Sequence, residues 1–112
     1  MRVMLLQTMV MAMLYASAEA QAVAATLRVG ATCELVPEPS NEYDSLAVAV
    51  KYGKHRLGYL PQGQTAVIHR LLAAGLELTG TIIHTCVPGQ LRVEIALEVE
   101  KDNGSITSSE QV

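Results

Sequence analysis

The segment EPSNEYDSLAVAVKYGKHRLGYLP, residues 38–61, carries the side chains best suited to binding chemistry. An acidic and aromatic turn precedes an alternating strand, a basic hairpin tip and a second strand that ends in a tyrosine. The candidate ligand-contacting residues of this segment are Asn41, Tyr43, Asp44, Lys51, Lys54, Arg56 and Tyr59. A tyrosine ring offers a flat face for a base, a carboxylate accepts a hydrogen bond from a hydroxyl, and cations hold phosphates. The segment therefore indicates contact with a nucleic acid.

The composition limits what kind of contact this is. With 112 residues, half of them apolar, the chain is long enough for one domain with a single core. Aromatic residues make up only 4%, as four tyrosines without Phe or Trp, so the core must be aliphatic and each tyrosine is informative. A net charge of −3 argues against a long, sequence-independent contact with duplex DNA. A local contact, for example at a strand end, fits better.

Metal binding and catalysis find little support in the sequence. Cys33 and Cys86 form no CxxC pair, and the histidines, His55, His69 and His84, are scattered without ligand spacing. There is no phosphate-binding glycine loop, no useful Ser, His and Asp order, and no pair of carboxylates at catalytic spacing. We therefore expect a protein that is not an enzyme, needs no metal or cofactor, and keeps two buried thiols in a reducing cytoplasm.

The hydrophobic pattern predicts a mainly β protein (β-rich α+β) with one clear helix. Apolar or alternating stretches predict six strands near residues 5–15, 27–36, 46–52, 56–60, 76–84 and 90–99. Apolar residues at helical spacing predict a helix over 64–74 that ends at Gly75, whereas residues 16–25 fit either a loop or a short helix. Six short strands and one helix suggest a small, partly open, OB-like barrel.

The two ends of the chain need separate interpretation. Residues 101–112 are polar and predict a disordered tail after a domain of residues 1–100.

Near the N-terminus, Arg2, an apolar run and two Ala-x-Ala sites resemble a short signal peptide, which would make the protein exported. Gln7 and Thr8 interrupt that run, and cleavage would remove the first strand and leave a sheet edge unpaired. We favour a retained first strand in a cytoplasmic protein without membrane contact.

The motifs of this chain resemble those of the HIRAN domain, which also occurs as a free-standing bacterial protein. The resemblance covers about residues 5–100 and rests on three elements: Asn41-Glu42-Tyr43-Asp44, Val10-Met11-Ala12-Met13-Leu14-Tyr15 and Leu57-Gly58-Tyr59-Leu60-Pro61. It implies an OB-like barrel that binds the 3′ end of single-stranded DNA and has no catalytic activity. It also implies an accessory role in DNA repair or replication-fork processing, beside a helicase, nuclease or other repair protein.

The same resemblance implies roles for individual residues. Tyr43 would stack on the terminal nucleotide, and Asp44 would accept a hydrogen bond from the free 3′-hydroxyl. Tyr15 would stack on the neighbouring base, while Asn41 would shape the turn. Tyr59 stands where one relative carries a histidine that contacts the DNA backbone. Because a carboxylate repels a phosphate, a 3′-phosphate would be disfavoured.

Structural roles are the alternatives for these residues. Asp44 could cap the turn before Leu46, because Asx residues build turns, and Tyr43 could cover the barrel end. Tyr15 could pack in the interior, and Tyr59 could be an ordinary strand residue. The basic hairpin tip could be no more than a solvated turn.

Two departures from the family pattern keep a second function open. Leu14 and Pro37 stand where one relative has basic residues, which should weaken phosphate binding and flatten its salt dependence. The alternative is a protein-interaction or structural barrel that kept the fold and lost the DNA site. A partly open barrel also has an unpaired edge that could pair with a second copy, so a homo-oligomer is a further expectation.

Overall fold

A computed structural model describes residues 2–87 and 90–98 of the protein. Six strands form one antiparallel sheet with the spatial order β1-β6-β5-β2-β3-β4. The strands are β1 (Arg2–Met9), β2 (Thr32–Pro37), β3 (Val48–Tyr52), β4 (His55–Tyr59), β5 (Leu78–Val87) and β6 (Gln90–Glu98). The helices are α1 (Ala18–Thr26) and α2 (Thr65–Ala73), each preceded by a short 3₁₀ turn, at Met13–Tyr15 and Gln62–Gln64. The predicted class, mainly β with six strands, is confirmed.

The two edges of the sheet meet where the chain leaves β1. The Met11 N–H donates to the Tyr59 carbonyl oxygen at 2.7 Å, and the Tyr59 N–H donates to the Met11 carbonyl oxygen at 2.9 Å. Gly58 permits this approach, because a Cβ atom there would lie against the Met11 carbonyl oxygen and 2.8 Å from Val10 Cγ1. The sheet is thus an unclosed, OB-like barrel whose edges are linked by this bridge.

The first strand is shorter than the sequence pattern predicted. The strand expected over residues 5–15 ends at Met9, and Ala12 adopts the left-handed conformation with φ 63° and ψ 24°. Tyr15 therefore lies on a 3₁₀ turn and not on a strand. The apolar run continues past the strand because Val10 and Met13 are buried in the core after the pairing with β6 has ended at Met9.

The N-terminal segment is part of the sheet. β1 pairs with β6 from Arg2 opposite Glu98 to Met9 opposite Arg92. Cleavage after Ala18 or Ala20 would remove this strand together with the core side chains Val10 and Met13. In residues 2–87 and 90–98, no helix is long and apolar enough to cross a membrane. The tail predicted at 101–112 lies outside the described residues.

The helices follow local sequence signals. The Ser17 Oγ accepts a hydrogen bond from the Ala20 N–H at 3.0 Å and caps α1, so the alanine-rich segment is a helix rather than a loop. The predicted helix over 64–74 is present as α2, and it ends before Gly75, which has φ 87°. Gly30, with φ 100°, turns the chain before β2, so that strand begins at Thr32 instead of residue 27.

The core is aliphatic, as the composition predicted. Its most deeply buried aliphatic side chains come from the strands: Val48, Val50, Leu57, Ile82, Val93 and Ile95. On β6, Arg92 and Glu94 remain partly exposed between buried neighbours, so exposed and buried residues alternate from Gln90 to Ile95. Ile68 anchors α2 on the core, whereas its neighbour Val67 is 62% exposed.

Candidate functional site

A cavity of about 600 Å³ opens beside the bridge between the sheet edges. Its walls are Met11, Ala12, Tyr15, Asn41, Tyr43, Asp44, Ala47, Tyr59, Leu60, Pro61 and Gln62. Three of the four tyrosines of the chain therefore meet in one place. Tyr15 and Tyr43 are 86% and 87% exposed, which removes interior packing as an explanation for Tyr15. The cavity combines flat aromatic surfaces with the carboxylate of Asp44.

Asn41 builds the turn that carries Tyr43 and Asp44. Its Oδ1 accepts hydrogen bonds from the Tyr43 N–H at 2.8 Å and the Asp44 N–H at 3.0 Å. The Asp44 Oδ1 accepts from the Leu46 N–H at 2.9 Å, so Asp44 also caps the turn before β3. These are the local bonds by which Asx residues form turns. The turn role and the cavity position coexist, because Asp44 bonds the turn through Oδ1 and also lines the cavity.

Glu38, at the end of β2, connects this turn to β4. Its Oε1 accepts hydrogen bonds from the Tyr59 hydroxyl at 2.9 Å and from the Asn41 Nδ2 at 3.2 Å. Arg56 lies behind the same pair, with Nη1 3.9 Å from Glu38 Oε2 and the guanidinium carbon 5.4 Å from the centre of the Tyr59 ring. One carboxylate therefore positions a cavity wall, the turn and a cation.

The surroundings of Tyr59 also change its acidity. Burial raises the pKa of the Tyr59 hydroxyl above its ordinary value, and the hydrogen bond to Glu38 adds to the increase. Arg56 acts in the opposite direction, because a nearby cation favours the phenolate. At neutral pH the hydroxyl therefore stays protonated and remains a donor.

Glu38 was missed by sequence reasoning. It stands three residues before Asn41, and its N–H donates to the Ala47 carbonyl oxygen across the base of the turn. An acidic residue shortly before an Asx turn is a weak signal on its own. Its importance depends on Tyr59, which arrives from a separate strand.

The basic hairpin residues lie outside the cavity. Lys54 and Arg56, with His55, line a second recess of about 330 Å³ against Ser17 and Glu19 of the α1 start. Lys51 lies on β3 opposite Glu34 and Arg56, and it lines neither the cavity nor this recess. The predicted site therefore separates into two groups, one aromatic and acidic and the other basic.

Other chemistry is sparse in the part of the chain that the structure describes. There, no three His, Cys, Asp or Glu side chains gather closely enough to hold a metal ion. Burial raises the pKa of the Cys33 thiol to about 11, so Cys33 is a neutral core residue at physiological pH. Cys33 does not line the cavity, whose walls present three tyrosine rings and the Asp44 carboxylate.

Comparisons with known proteins agree with this architecture. The family model of the HIRAN domain matches residues 3–102, which confirms the resemblance found in the motifs. The crystal structure of a protein from Lactobacillus plantarum superposes with a TM-score of 0.78 at 27% identity, over 87% of this chain and 95% of that one. The crystal structure of the HIRAN domain of human HLTF gives a TM-score of 0.69 at 14% identity, over 86% of this chain and 78% of that one. No curated protein matches the chain significantly.

Proposed function

Because this chain belongs to the HIRAN domain family, we propose that it binds the 3′-hydroxyl end of single-stranded DNA in the cavity. In this proposal it is a cytoplasmic, non-enzymatic accessory to DNA repair or replication-fork processing, and it works beside a helicase, nuclease or other repair protein. The observation that carries the proposal is the meeting of Tyr15, Tyr43 and Asp44 in one open cavity.

The two exposed tyrosines supply the stacking surfaces. A ring that is 86% or 87% exposed leaves apolar area in water, and stacking on a base removes that area from solvent. Base stacking on aromatic side chains contributes about 1–3 kcal/mol per base and tolerates any sequence. In this proposal Tyr43 holds the terminal base, and Tyr15, which lines the same cavity, holds its neighbour.

Asp44 supplies the preference for a free end. Its Oδ1 is occupied by the Leu46 N–H, so its Oδ2 accepts the hydrogen bond of the 3′-hydroxyl. A carboxylate cannot accept a bond from a phosphate that carries no proton, and the two negative charges repel each other. The cavity therefore selects a 3′-hydroxyl against a 3′-phosphate and against an internal nucleotide.

Fluorescence anisotropy tests the proposal with one labelled oligonucleotide that ends in either a 3′-hydroxyl or a 3′-phosphate. We expect the wild-type protein to prefer the hydroxyl. Asp44→Asn keeps an oxygen for the Leu46 N–H but removes the charge, so it should abolish the preference. Tyr43→Ala should weaken binding to both ends.

Matched controls lie close to the site. Glu42→Gln removes an exposed carboxylate of the same turn, and Tyr52→Ala removes an exposed tyrosine that does not line the cavity. Neither should change the preference. Equal affinity for the two termini in the wild-type protein would contradict end recognition.

A second candidate function is a protein-interaction barrel that has lost DNA binding. The observation in its favour is the charge of the cavity, since none of its lining residues is basic. A protein of this kind would bind neither oligonucleotide at low salt. Failure of both oligonucleotides to bind would therefore favour the interaction module.

A further inference from the structure

Three recesses adjoin one another through shared lining residues, and together they are called the groove. The cavity shares Ala12, Tyr15 and Tyr59 with a small middle recess, which is also lined by Ala16, Arg56 and Gly58. Arg56 in turn belongs to the hairpin recess, the basic recess lined by Ser17, Glu19, Lys54, His55 and Arg56. A ligand that leaves the cavity past Tyr59 therefore reaches the β3–β4 hairpin next.

The charge of this groove changes along its length. The cavity carries the carboxylate of Asp44 and no cation, whereas the hairpin recess sets Lys54, His55 and Arg56 against one carboxylate, Glu19. A DNA strand with a free 3′ end has a matching asymmetry. Its terminal sugar bears a neutral hydroxyl, and every nucleotide upstream adds one negative phosphate.

We propose that the hairpin recess holds the phosphates of the nucleotides upstream of the 3′ end. For the length of strand that is held, we take about four nucleotides, the lower end of the site sizes of OB-type folds. This inference rests on the function proposed above and extends it from an end to a defined length of strand. It assigns the phosphate contacts to Lys54, His55 and Arg56 and not to Lys51, which lies outside the groove.

Arg56 joins the two parts of the groove. Its guanidinium lies over the Tyr59 ring and near Glu38, yet its side chain is 51% exposed. A guanidinium has five N–H donors, so the distant contact with Glu38 leaves donors for a phosphate. Because Glu38 and Tyr59 are fixed to each other by a hydrogen bond, Arg56 is held at the junction of the middle and hairpin recesses.

The test is a length series of oligothymidylates with a free 3′-hydroxyl, from two to six nucleotides, measured by competition anisotropy. We expect wild-type affinity to rise severalfold up to about four nucleotides and then to level off. Lys54→Gln should remove much of that gain, so it should weaken tetranucleotide binding more than dinucleotide binding. Glu19→Gln should increase the gain, because it removes the opposing charge from the same recess.

Two further measurements accompany the length series: the salt dependence of the affinity, and a control variant outside the groove. On a single strand, each lost phosphate contact should reduce the slope of log affinity against log salt by about 0.7. Arg70→Gln removes an exposed cation of α2 that lines neither recess and should change nothing. The melting temperature of each variant verifies its fold.

The outcomes separate this inference from the proposed function. A wild-type protein that prefers the 3′-hydroxyl but shows no gain with length would overturn the inference alone. So would a Lys54→Gln variant that weakens dinucleotides and longer strands equally. If the wild-type protein shows no preference for the 3′-hydroxyl, the proposed function is overturned. The inference about the upstream phosphates, which rests on that function, is then overturned as well.

Discussion

The Tyr59 hydroxyl donates a 2.9 Å hydrogen bond to the Glu38 Oε1, and the Asn41 Nδ2 donates to the same oxygen at 3.2 Å. Three segments of the chain are joined at this atom: the end of β2, the turn before β3 and the end of β4. Asn41 then holds the backbone of Tyr43 and Asp44. A carboxylate that does not line the cavity therefore helps to hold the turn of Asn41, Tyr43 and Asp44 in place.

Two substitutions of Glu38 distinguish its role as a hydrogen-bond acceptor from the effect of its negative charge. Glu38→Ala leaves Asn41 and Tyr59 without their shared acceptor, which costs about 1 kcal/mol and should weaken binding of a 3′-hydroxyl strand about fivefold. Glu38→Gln retains an acceptor oxygen and removes a negative charge, so binding should be equal to or tighter than that of the wild type. Anisotropy titrations measure both. Glu34→Ala removes an exposed carboxylate of β2, the strand that precedes Glu38, and is the control; equal affinities for all three variants would contradict a positioning role.

Alkaline pH should destabilise the protein partly through Tyr59. The folded state raises the pKa of this hydroxyl through burial and the bond to Glu38, whereas the unfolded chain ionises near pH 10. The contribution of Tyr59 to the free energy of unfolding is therefore fully present below pH 10, and it is lost as the pH rises through the pKa of the folded state. Urea unfolding should show that the stability difference between wild type and Tyr59→Phe shrinks above pH 10. A constant difference from pH 8 to pH 11 would be inconsistent with this linkage.

Gly58 should tolerate no side chain, because its neighbours occupy the space. A Cβ atom there would meet the Met11 carbonyl oxygen and Val10 Cγ1, so Gly58→Ala must displace the bridge between the sheet edges. We expect a loss of about 1–3 kcal/mol in the free energy of unfolding, as for other overpacked sites. Gly63→Ala is the matched control, since a Cβ atom there meets nothing within 4 Å. Comparable stabilities of the two variants would refute the close approach.

Cys33 should react with thiol reagents only after unfolding. The side chain is 1% exposed, and burial raises the pKa of its thiol to about 11, so both access and thiolate are lacking near pH 8. In a Cys86→Ser background, an aromatic disulfide reagent should release no coloured thiolate when it is mixed with the native protein. In denaturant it should release one equivalent. Rapid reaction of the native protein would show that the core around Cys33 opens.

Removal of residues 1–20 should prevent folding. β6 would lose its β1 partner, and the core would lose the buried side chains Val10 and Met13. The exposed sheet edges would then promote aggregation. Circular dichroism and urea titration of the truncated and full chains measure the effect. The mass of the protein recovered from cells is an independent test. If that mass matches a chain without residues 1–20, and the truncated chain unfolds cooperatively, the export interpretation is supported.

Local sequence patterns determined much of this architecture. The alternation of β6, the helical spacing of α2 and its end before Gly75 depend on side chains within a few residues of one another, so a short window reveals them. The turn of Asn41, Tyr43 and Asp44 is likewise made by bonds between residues at most three apart. The motif that carries this turn is one of the three sequence elements on which the resemblance to the family rests.

Only the tertiary structure decided where the first strand ends and which residues share the groove. An apolar run cannot reveal that pairing stops at Met9, because Val10 and Met13 remain apolar for the core contacts they make. Glu38 and Tyr59 are ordinary residues in their own segments and acquire a common role when β2 and β4 place them 2.9 Å apart. The separation of the basic hairpin from the cavity has the same cause. Each side chain's type is local, whereas its neighbours are set by strand pairing between distant parts of the chain.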